Sequence, residues 1–577
     1  MSNVLFKEIG YPLETLLSDI EMGEIGLPDI QRPFVWANAK VRDLLDSMYR
    51  GFPVGYLLFW ANGLPGGHRQ IGVDDKQVIP RLLVVDGQQR LTSLYAVLKG
   101  VEVVRKNYRK ERIFIAFCPK DLTLHVADAA TRRDPEFIPD ISVLWRGAQE
   151  RVVKAFLEGL RARRPVDEDE EYRLREAIDR LFDLRNYPFR VLELSANVSE
   201  EDVAEVFVRI NSMGTTLKQA DFILTLMSVF WDEGRTDLET FCRLSREPAT
   251  AASPFNYFIQ PDPDQLLRVG VGLGFRRARL QHVYSVLRGK DMDTGEFSDK
   301  RRVRQFAVLR EAQACTLNLE NWHAFLKVPI RAGYRSDAMI TSQVGLLYAY
   351  VLFLIGKRDF GVDDFTLRNA LARWFFMTAL TGRYTDSPES RMEQDLAELR
   401  DVKDPTGFVA LLDGIVKDTM TDDYWNITLP NQLGTSAPRS PSLFAYYAAL
   451  NLLEARVLFS KMKVSELLDP ASKANRAALE RHHLFPRGYL AKIGIADTRD
   501  VNQIANFALL EWPDNNDIGD QAPAKYYPRY AGRLSKEARY WHALPDRWEQ
   551  MPYQDFLAAR RKGMARVIRD GFAQLWQ

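Results

Sequence analysis

Two adjacent histidines and the asparagines that follow them form the densest group of potentially catalytic residues in the chain. Only seven histidines occur among the 577 residues, and two of them are His482 and His483. Asn506 comes next, followed by Asn515 and Asn516. An imidazole can take up a proton near neutral pH, and carboxamide oxygens are hard ligands that suit Mg²⁺ or Mn²⁺. One histidine and one asparagine would hold such an ion loosely, which leaves positions for water and phosphate oxygens.

The two histidines are predicted to lie on a strand, where neighbouring side chains point to opposite faces. A twist or bulge would then let one ring face a metal while the other faces a substrate phosphate. The alternative interpretation is a strand and turn in which the histidines and asparagines occur together incidentally.

A second stretch with chemical potential covers residues 82–94. Its four apolar residues predict a buried strand, residues 86–90 predict a tight polar loop, and residues 91–98 predict a helix. A junction of this kind can bind an anion, because the free N–H groups at the start of a helix point toward the loop.

The loop side chains between this strand and helix add donors, acceptors and charge. Gln88 and Gln89 supply amide groups, Arg90 supplies a planar cation, and Asp86 supplies a carboxylate that can hold a metal or a water. In the alternative interpretation Asp86 and Arg90 pair with each other in a capped loop. The residues alone leave both interpretations open.

Length and composition restrict the class of protein. At about 150 residues per domain, a chain of 577 residues predicts roughly three or four domains. The net charge of +1 makes a general polyanion binder improbable, so any DNA contact must come from local patches. Cys118, Cys242 and Cys315 are too far apart for a metal or disulfide framework, which fits a reducing cytosol. Neither a signal peptide nor a membrane-spanning run is recognisable, so we expect a cytoplasmic protein.

The character of the chain changes along its length. The first part mixes predicted strands and helices, whereas residues of about 220–420 predict mostly helices. Residues 265–273 are a weaker helix prediction because Gly270 and Gly272 interrupt the apolar pattern. Residues 431–442 contain Gly, Ser and Pro and predict a linker.

Clusters of basic residues offer candidate DNA contacts. Residues 276–279 and 300–304 are rich in arginine, and Arg560 begins another basic run on a predicted C-terminal helix. Each cluster could contact phosphates. A charged face between helices is the commoner explanation for the two central clusters, and a solvated helix surface explains the C-terminal run equally well.

Three ordered motifs in roughly the first 230 residues resemble the GmrS-like domain of GmrSD-type, modification-dependent restriction enzymes. Residues 86–90 spell its DGQQR signature. Residues 27–36, LPDIQRPFVW, resemble its P-x-x-QRP-x-x-W motif, and residues 206–214, VFVRINSMG, resemble its F-x-R-I-N-x-x-G motif. The resemblance implies an α/β fold similar to ParB and sulfiredoxin, where a related loop binds nucleotide.

The same resemblance implies a nucleotide site built from all three motifs. Its implied residues are Gln31, Arg32, Asp86, Gly87, Gln88, Gln89, Arg90 and Asn211. In this site Gln31, Arg32 and Arg90 would hold phosphates, while Asp86 would position a metal or a water. The implied ligand is a nucleoside triphosphate, namely GTP, UTP or CTP.

The order His-His, Asn, Asn in the C-terminal part resembles the His-Asn-His (ββα-metal, or HNH) nuclease domain in its GmrD-like variant. This implies that His483 is the general base and that Asn506 braces the loop carrying the base. His482 stands where many relatives have an aspartate that binds the metal, which is Mg²⁺ or Mn²⁺. Asn515 best matches the second metal ligand, and Asn516 is the alternative.

We therefore predict an α+β multidomain chain that is mostly helical. A ParB/sulfiredoxin-like, GmrS-like NTPase domain would cover residues 1–235, a helical spacer residues 236–438, and a GmrD-like HNH nuclease domain residues 439–577. The implied function is type IV restriction: an anti-phage endonuclease that binds and hydrolyses NTP and nicks or cleaves DNA. The sensed mark would be a modified base or a phosphorothioate. Expected partners are DNA and a nucleoside triphosphate, without a membrane, and a homo-oligomer is compatible with such a machine.

A different class of function is also compatible with these motifs. The N-terminal domain could be a ParB-like nucleotide switch or DNA clamp that does not hydrolyse its ligand, with the nuclease as the only enzyme. A third interpretation is a scaffold that carries a degenerate nuclease.

Overall fold

The chain forms two compact units, Met1–Arg235 and Thr236–Gln577. The computed structural model describes residues 5–26, 34, 36–61, 81–105, 109–147, 149–196, 198, 203, 206, 219–291, 294, 298–470 and 481–577. The predicted domains at residues 1–235, 236–438 and 439–577 remain a prediction.

Strands are concentrated in the first unit. They are β1 Phe6–Pro12, β2 Ile25–Gly26, β3 Leu57–Ala61, β4 Leu82–Asp86, β5 Glu102–Val104, β6 Lys110–Arg112, β7 Ile115–Cys118, β8 Thr123–Val126, β9 Pro188–Leu194, β10 Arg481–His483 and β11 Phe507–Leu509.

Helices account for most of the remaining described residues. They are α1 Leu13–Met22, α2 Asn38–Tyr49, α3 Gln88–Lys99, α4 Val143–Arg146, α5 Gln149–Arg161, α6 Glu168–Phe182, α7 Gln219–Phe230, α8 Asp232–Leu244, α9 Pro263–Phe275, α10 Leu280–Leu287, α11 Asp299–Thr316, α12 Leu319–Arg331, α13 Gln343–Arg358, α14 Asp364–Thr381, α15 Pro388–Glu398, α16 Pro405–Thr419, α17 Leu429–Gln432, α18 Pro441–Leu452, α19 Val464–Leu467, α20 Arg487–Lys492, α21 Thr498–Val501, α22 Trp512–Ile518, α23 Pro523–Tyr530, α24 Lys536–Trp541 and α25 Tyr553–Ala573. The prediction of a mostly helical α+β chain is confirmed.

The first unit is built on a mixed sheet with the strand order β1-β9-β3-β4-β2. β1 pairs with β9 and β3 with β4 in antiparallel fashion, whereas the β9–β3 and β4–β2 pairs are parallel. Side chains alternate across this sheet: Leu57 and Phe59 enter the larger hydrophobic core, while Leu58 packs with Leu194 in a smaller core. Both faces of β3 are therefore buried, which fixes its register beside β4.

The second unit surrounds an apolar helix, α13. Every residue from Gly345 to Gly356 is buried, so this helix is covered on all sides, as is typical of a helix in the centre of a large core. Helix α9 approaches it closely at Gly272, where an added Cβ would come within 2.8 Å of Val351 Cγ1. The glycine that weakened the helix prediction therefore permits tight packing between the two helices.

The two central basic clusters lie among acidic side chains of the second unit. Arg276 pairs with Asp359, and Arg277 Nε lies 2.5 Å from Glu393 Oε1. In the second cluster Arg301 pairs with Asp291, while Arg302 lies 2.7 Å from Asp299. These pairs agree with the interpretation of charged faces between structural elements.

Helix α25 connects distant parts of the second unit. It packs along α18, and near its C-terminal end Phe572 contacts the rings of Phe376 and Trp425. The carbonyl of Leu575 just beyond the helix accepts a hydrogen bond from Arg373 Nη1 at 3.0 Å. Within the described part of the chain, no helix has both the length and the apolar character needed to cross a bilayer.

Candidate functional site

The motif at residues 86–90 occupies the junction between β4 and α3. Strand β4 ends at Asp86, Gly87 makes the turn, and α3 begins at Gln88. The sequence predicts a polar loop through Arg90 and a helix start at Leu91, and that boundary is wrong by three residues. One glycine is sufficient for the turn, and glutamine and arginine readily adopt helical conformations.

Gly87 is required by this turn for two reasons. Its φ of +95° lies in the left-handed region of backbone conformation, which residues other than glycine rarely adopt. An added Cβ would also overlap Cδ2 of Leu57 on the neighbouring strand. The junction therefore brings the start of α3 against β3 with no room for a side chain.

Arg90 is held entirely within the unit by several acceptors. Its Nη2 lies 2.9 Å from Asp86 Oδ2 and donates to the Tyr56 carbonyl at 2.8 Å, while Nη1 donates to the Val54 carbonyl at 2.6 Å. Burial lowers the pKa of Arg90, and the ion pair with Asp86 opposes that shift. The Asp86–Arg90 pair of the alternative interpretation is thus present, and the guanidinium fastens residues 54–56 to α3.

The other predicted nucleotide-site residues divide into two groups. Gln88 Nε2 donates to the Val84 carbonyl at 3.0 Å, and the Gln89 carbonyl accepts a hydrogen bond from Ser93. Gln31, Arg32 and Asn211 lie outside the described residues. The complete nucleotide site therefore stays a prediction.

The histidine–asparagine group folds into a hairpin followed by a helix. β10 and β11 pair antiparallel, with His482 opposite Ala508 and His483 opposite Phe507, and α22 follows. The two rings have different neighbours, since His482 contacts Tyr526 and Asn515 whereas His483 contacts Phe507 and Asn502. Adjacent strand positions therefore place the two imidazoles in separate environments.

His482 is almost completely buried next to the helix α22. Its Nδ1 lies 2.6 Å from Asn515 Oδ1, so Nδ1 carries the proton and Nε2 holds the lone pair. Nε2 is buried and has no hydrogen-bond partner among the described residues. Burial lowers the pKa of His482 to about 4, with the Asn515 contact opposing this shift, so the ring is neutral at pH 7.

His483 is only partly buried and makes one side-chain hydrogen bond. Its Nε2 lies 2.9 Å from Asn502 Oδ1, which places the proton on Nε2 and leaves the lone pair on Nδ1. Burial lowers the pKa of His483, the bond to Asn502 opposes this, and Arg487 adds to it. A neutral, partly accessible imidazole with a free lone pair can act as a general base.

Asn506 is fully buried and binds the loop that follows His483. Its Oδ1 accepts from the Phe485 N–H at 2.8 Å, and its Nδ2 donates to the carbonyls of Phe485 at 3.0 Å and Val501 at 3.2 Å. Its own carbonyl accepts from the Leu484 N–H. These contacts hold the turn of β11 against the loop that leaves β10.

The predicted metal ligands meet at this site. His482 Nδ1 and Asn515 Oδ1 face each other across 2.6 Å, so a divalent ion would bind these two atoms by taking the place of the proton between them, with water and phosphate completing its shell. The buried Nε2 lies on the far side of the ring and points away from Asn515. Asn516 is exposed on the same helix, so the contact with His482 distinguishes Asn515 from it. No group of three or more histidine, cysteine, aspartate or glutamate side chains suited to a metal occurs in the described ranges.

Sequence reasoning missed other residues that hold this site together. Asn502 binds His483, Tyr526 donates to the Leu484 carbonyl at 2.7 Å, and Arg560 donates to the Ala505 carbonyl at 2.7 Å. Arg560 begins a basic run for which the sequence left phosphate contact and a solvated helix face as alternatives, but its side chain is fully buried and fits neither. No sequence signal marks these residues, because each acts through a contact between distant segments.

Comparisons with known proteins identify the first part of the chain. Residues 13–228 match the family model of the GmrSD restriction endonuclease, N-terminal domain. This part is therefore a GmrSD-type N-terminal domain, and the resemblance based on the three motifs is confirmed. The chain is also similar to an uncharacterized protein of Methanocaldococcus jannaschii, MJ0686. The two are 22% identical over 564 residues, which cover 90% of this chain and 87% of that protein.

The GmrSD-type domain supports a restriction-type defence endonuclease whose substrate is DNA. The family match ends at residue 228, before the hairpin that carries His482 and His483. The chemistry of the second unit must therefore be argued from its own residues.

Proposed function

We propose that the protein is a restriction endonuclease whose second unit cleaves phosphodiester bonds with one divalent metal ion, Mg²⁺ or Mn²⁺. The observation that carries this proposal is that His482, His483, Asn506 and Asn515 belong to one hairpin and the helix after it, where His482 contacts Asn515 and Asn506 binds the loop that follows His483. These residues come from β10, the turn before β11 and the helix α22, in the order expected of an HNH nuclease. The GmrSD-type domain in the same chain supports the same function.

In this proposal His483 activates the attacking water. The water gives a proton to Nδ1 of His483, while Nε2–H continues to donate to Asn502 and steadies the imidazolium that forms. Asn506 keeps His483 in place by binding the loop that follows it. When bound at His482 and Asn515, a divalent ion would supply stabilisation of the negative charge that develops on the phosphate.

We further propose that the first unit binds and hydrolyses a nucleoside triphosphate, with GTP, UTP and CTP as candidates. The backbone N–H groups at the start of α3 point toward the loop, and Gly87 has no side chain to block the approach of a phosphate. Gln31, Arg32 and Asn211 would complete the site from the other two motifs. Arg90 is hydrogen-bonded to Asp86 and to two backbone carbonyls. In the proposed site it would therefore either hold the loop in shape or leave these acceptors to bind a phosphate when nucleotide is present.

A specific observation favours a second candidate function for this unit. Oδ2 of the Asp86 carboxylate is paired with Arg90, which leaves only Oδ1 to position a metal or a water. A nucleotide switch that binds but does not hydrolyse its ligand would need no such carboxylate. Measurements of phosphate release and nucleotide binding by the wild-type chain and by Asp86→Asn distinguish the NTPase from the switch. The NTPase is supported if the wild type hydrolyses nucleotide and the variant still binds nucleotide but does not hydrolyse it. Binding without any turnover supports the switch.

The deciding experiment for the proposed function is plasmid cleavage in Mg²⁺ or Mn²⁺. Unmodified, base-glucosylated and phosphorothioated DNA would each be tested with and without GTP, UTP or CTP, and His483→Ala would serve as the control. Cleavage that the variant lacks and that depends on one modification supports modification-dependent restriction. Cleavage that ignores both modification and nucleotide leaves a nuclease with a different N-terminal function. Absence of cleavage under every condition would overturn the proposal.

A further inference from the structure

Arg560 is a buried cation in the middle of α25, next to the proposed nuclease site. Its side chain is fully buried, and within the described part of the chain it forms no ion pair with a carboxylate. Nη1 donates to the Ala505 carbonyl at 2.7 Å and Nε donates to the His542 carbonyl at 3.1 Å, and the Tyr446 side chain also interacts with the guanidinium. An arginine remains charged in proteins, so burial without a counter-ion is costly and calls for a specific reason.

The Ala505 carbonyl belongs to the turn that supports the hairpin. Residues Ile504–Asn506 form one short 3₁₀ turn directly before β11. Fixing the carbonyl of Ala505 fixes the peptide plane that leads into Asn506, because that plane is rigid. Asn506 in turn binds the N–H and C=O of Phe485, two residues after His483.

Further hydrogen bonds restrain the series of contacts that runs from Arg560 through Ala505 and Asn506 to Phe485. The Tyr526 hydroxyl binds the Leu484 carbonyl, and the Asn506 carbonyl accepts from the Leu484 N–H. The loop after His483 is therefore tied on one side to α23 and on the other to the turn that Arg560 holds. Loss of the Arg560 contact would free the Ala505 peptide while leaving the other contacts in place.

We propose that Arg560 is a positioning residue for the general base His483, acting through the Ala505 carbonyl and Asn506. The proposal rests on the nuclease function proposed above. Arg560 does not touch the reacting atoms; it fixes the turn whose asparagine holds the His483 loop. A displacement of a catalytic group by about 1 Å can reduce a rate by roughly 10²-fold, so a small relaxation of this turn is sufficient for a large effect.

The test uses the full chain with Arg560→Met, Arg560→Lys and Asn506→Ala. Methionine fills a similar volume without donors, whereas lysine keeps one positive donor for the Ala505 carbonyl. Arg566→Met is the matched control, because Arg566 is exposed on the same helix. Each variant is assayed for kcat and KM on plasmid DNA, for thermal unfolding, and for hydrogen exchange of the Leu484 and Phe485 amides.

We expect Arg560→Met to lower kcat by about 10- to 100-fold with KM for DNA unchanged, and Arg560→Lys to recover most of that loss. The double variant Arg560→Met/Asn506→Ala should lose no more than Asn506→Ala alone, since both residues act through one turn. Exchange at Leu484 and Phe485 should quicken at least tenfold in Arg560→Met, and Arg566→Met should match the wild type.

Four outcomes would overturn the inference, and they can be distinguished from one another. If the wild type cleaves DNA and Arg560→Met keeps its kcat, or if the double variant shows additive losses, Arg560 has no positioning role. If Arg560→Met simply unfolds, Arg560→Lys decides: a folded lysine variant with wild-type exchange and a wild-type kcat supports the proposal, and a folded one with the full kcat loss contradicts it. If the wild type cleaves no DNA at all, the nuclease function fails first, and the role of Arg560 fails with it.

Discussion

Nδ1 of His482 lies 2.6 Å from Oδ1 of Asn515, so residues 33 positions apart in the chain meet side chain to side chain. This contact joins β10 to α22 and separates Asn515 from its neighbour Asn516, which is exposed. We expect Asn515→Ala to raise the Mn²⁺ concentration needed for half-maximal cleavage by about 10- to 100-fold, while Asn516→Ala changes it little. Metal titration of cleavage together with calorimetric Mn²⁺ binding checks this. A larger shift in Asn516→Ala would transfer the ligand role to that residue.

His483→Ala is expected to lower the single-turnover cleavage rate by about 10²- to 10⁴-fold, because the water loses its proton acceptor. DNA affinity should stay unchanged, since the ring is proposed to act on the water and not to bind the phosphodiester. His323→Ala is a matched control: this histidine of the same unit binds the Ser253 carbonyl in a different region. Equal rates for His483→Ala and wild type in a gel-based cleavage assay would contradict the assignment.

Gly87→Ala is expected to destabilise the first unit. The left-handed conformation costs a non-glycine residue about 1–2 kcal/mol, and the clash with Leu57 adds to this. Gly10→Ala, on β1 of the same sheet, meets no atom within 4 Å and should change the free energy of unfolding by less than about 0.5 kcal/mol. Thermal unfolding of both variants tests the contrast. Similar midpoints for the two would show that the turn is not constrained as described.

The stability of the second unit is expected to fall in mild acid because of His542. Its Nε2 lies 2.9 Å from the Arg456 carbonyl, and burial lowers its pKa from 6.5 to about 4. The folded state therefore keeps this ring neutral, whereas the unfolded state takes up a proton below about pH 6.5. Stability is complete above pH 6.5 and is lost as the pH falls toward 4, by about 2 kcal/mol between pH 7.5 and 5.

Urea unfolding at several pH values measures this dependence. His542→Gln cannot be protonated, so its pH dependence should be shallower than that of the wild type. A residual slope is expected from His482, whose pKa burial also lowers to about 4. An identical slope in wild type and variant would exclude His542 as the cause.

Salt dependence of DNA binding tests the two central basic clusters. Arg277 and Arg301 are already paired with Glu393 and Asp291, so they release few counterions when DNA binds. Replacing both with glutamine should leave the slope of log K against log salt unchanged in fluorescence anisotropy. If both contacted phosphates, the slope would become shallower by roughly 2.

The sequence predicts those features of the fold and of the candidate site that depend on residues close together in the chain. The apolar run of β4 predicts a buried strand, and the order of histidines and asparagines predicts residues that do come together. The start of α3 was misplaced, because a one-residue turn looks like a longer loop in sequence. The burial of Arg560 and the pairing of His483 with Asn502 arise from contacts between distant segments, which no local pattern records.

Helix α25 has a consequence for how the second unit melts. One position of this helix holds the turn before β11, while Phe572 near its end packs against Phe376 of α14 and against Trp425, which lies between α16 and α17. The hairpin and those helices should therefore lose structure together, in one cooperative transition. A fragment that begins near residue 439 would retain α25 but expose its apolar end to water. Such a fragment is expected to aggregate, so the nuclease chemistry is best studied in the intact chain.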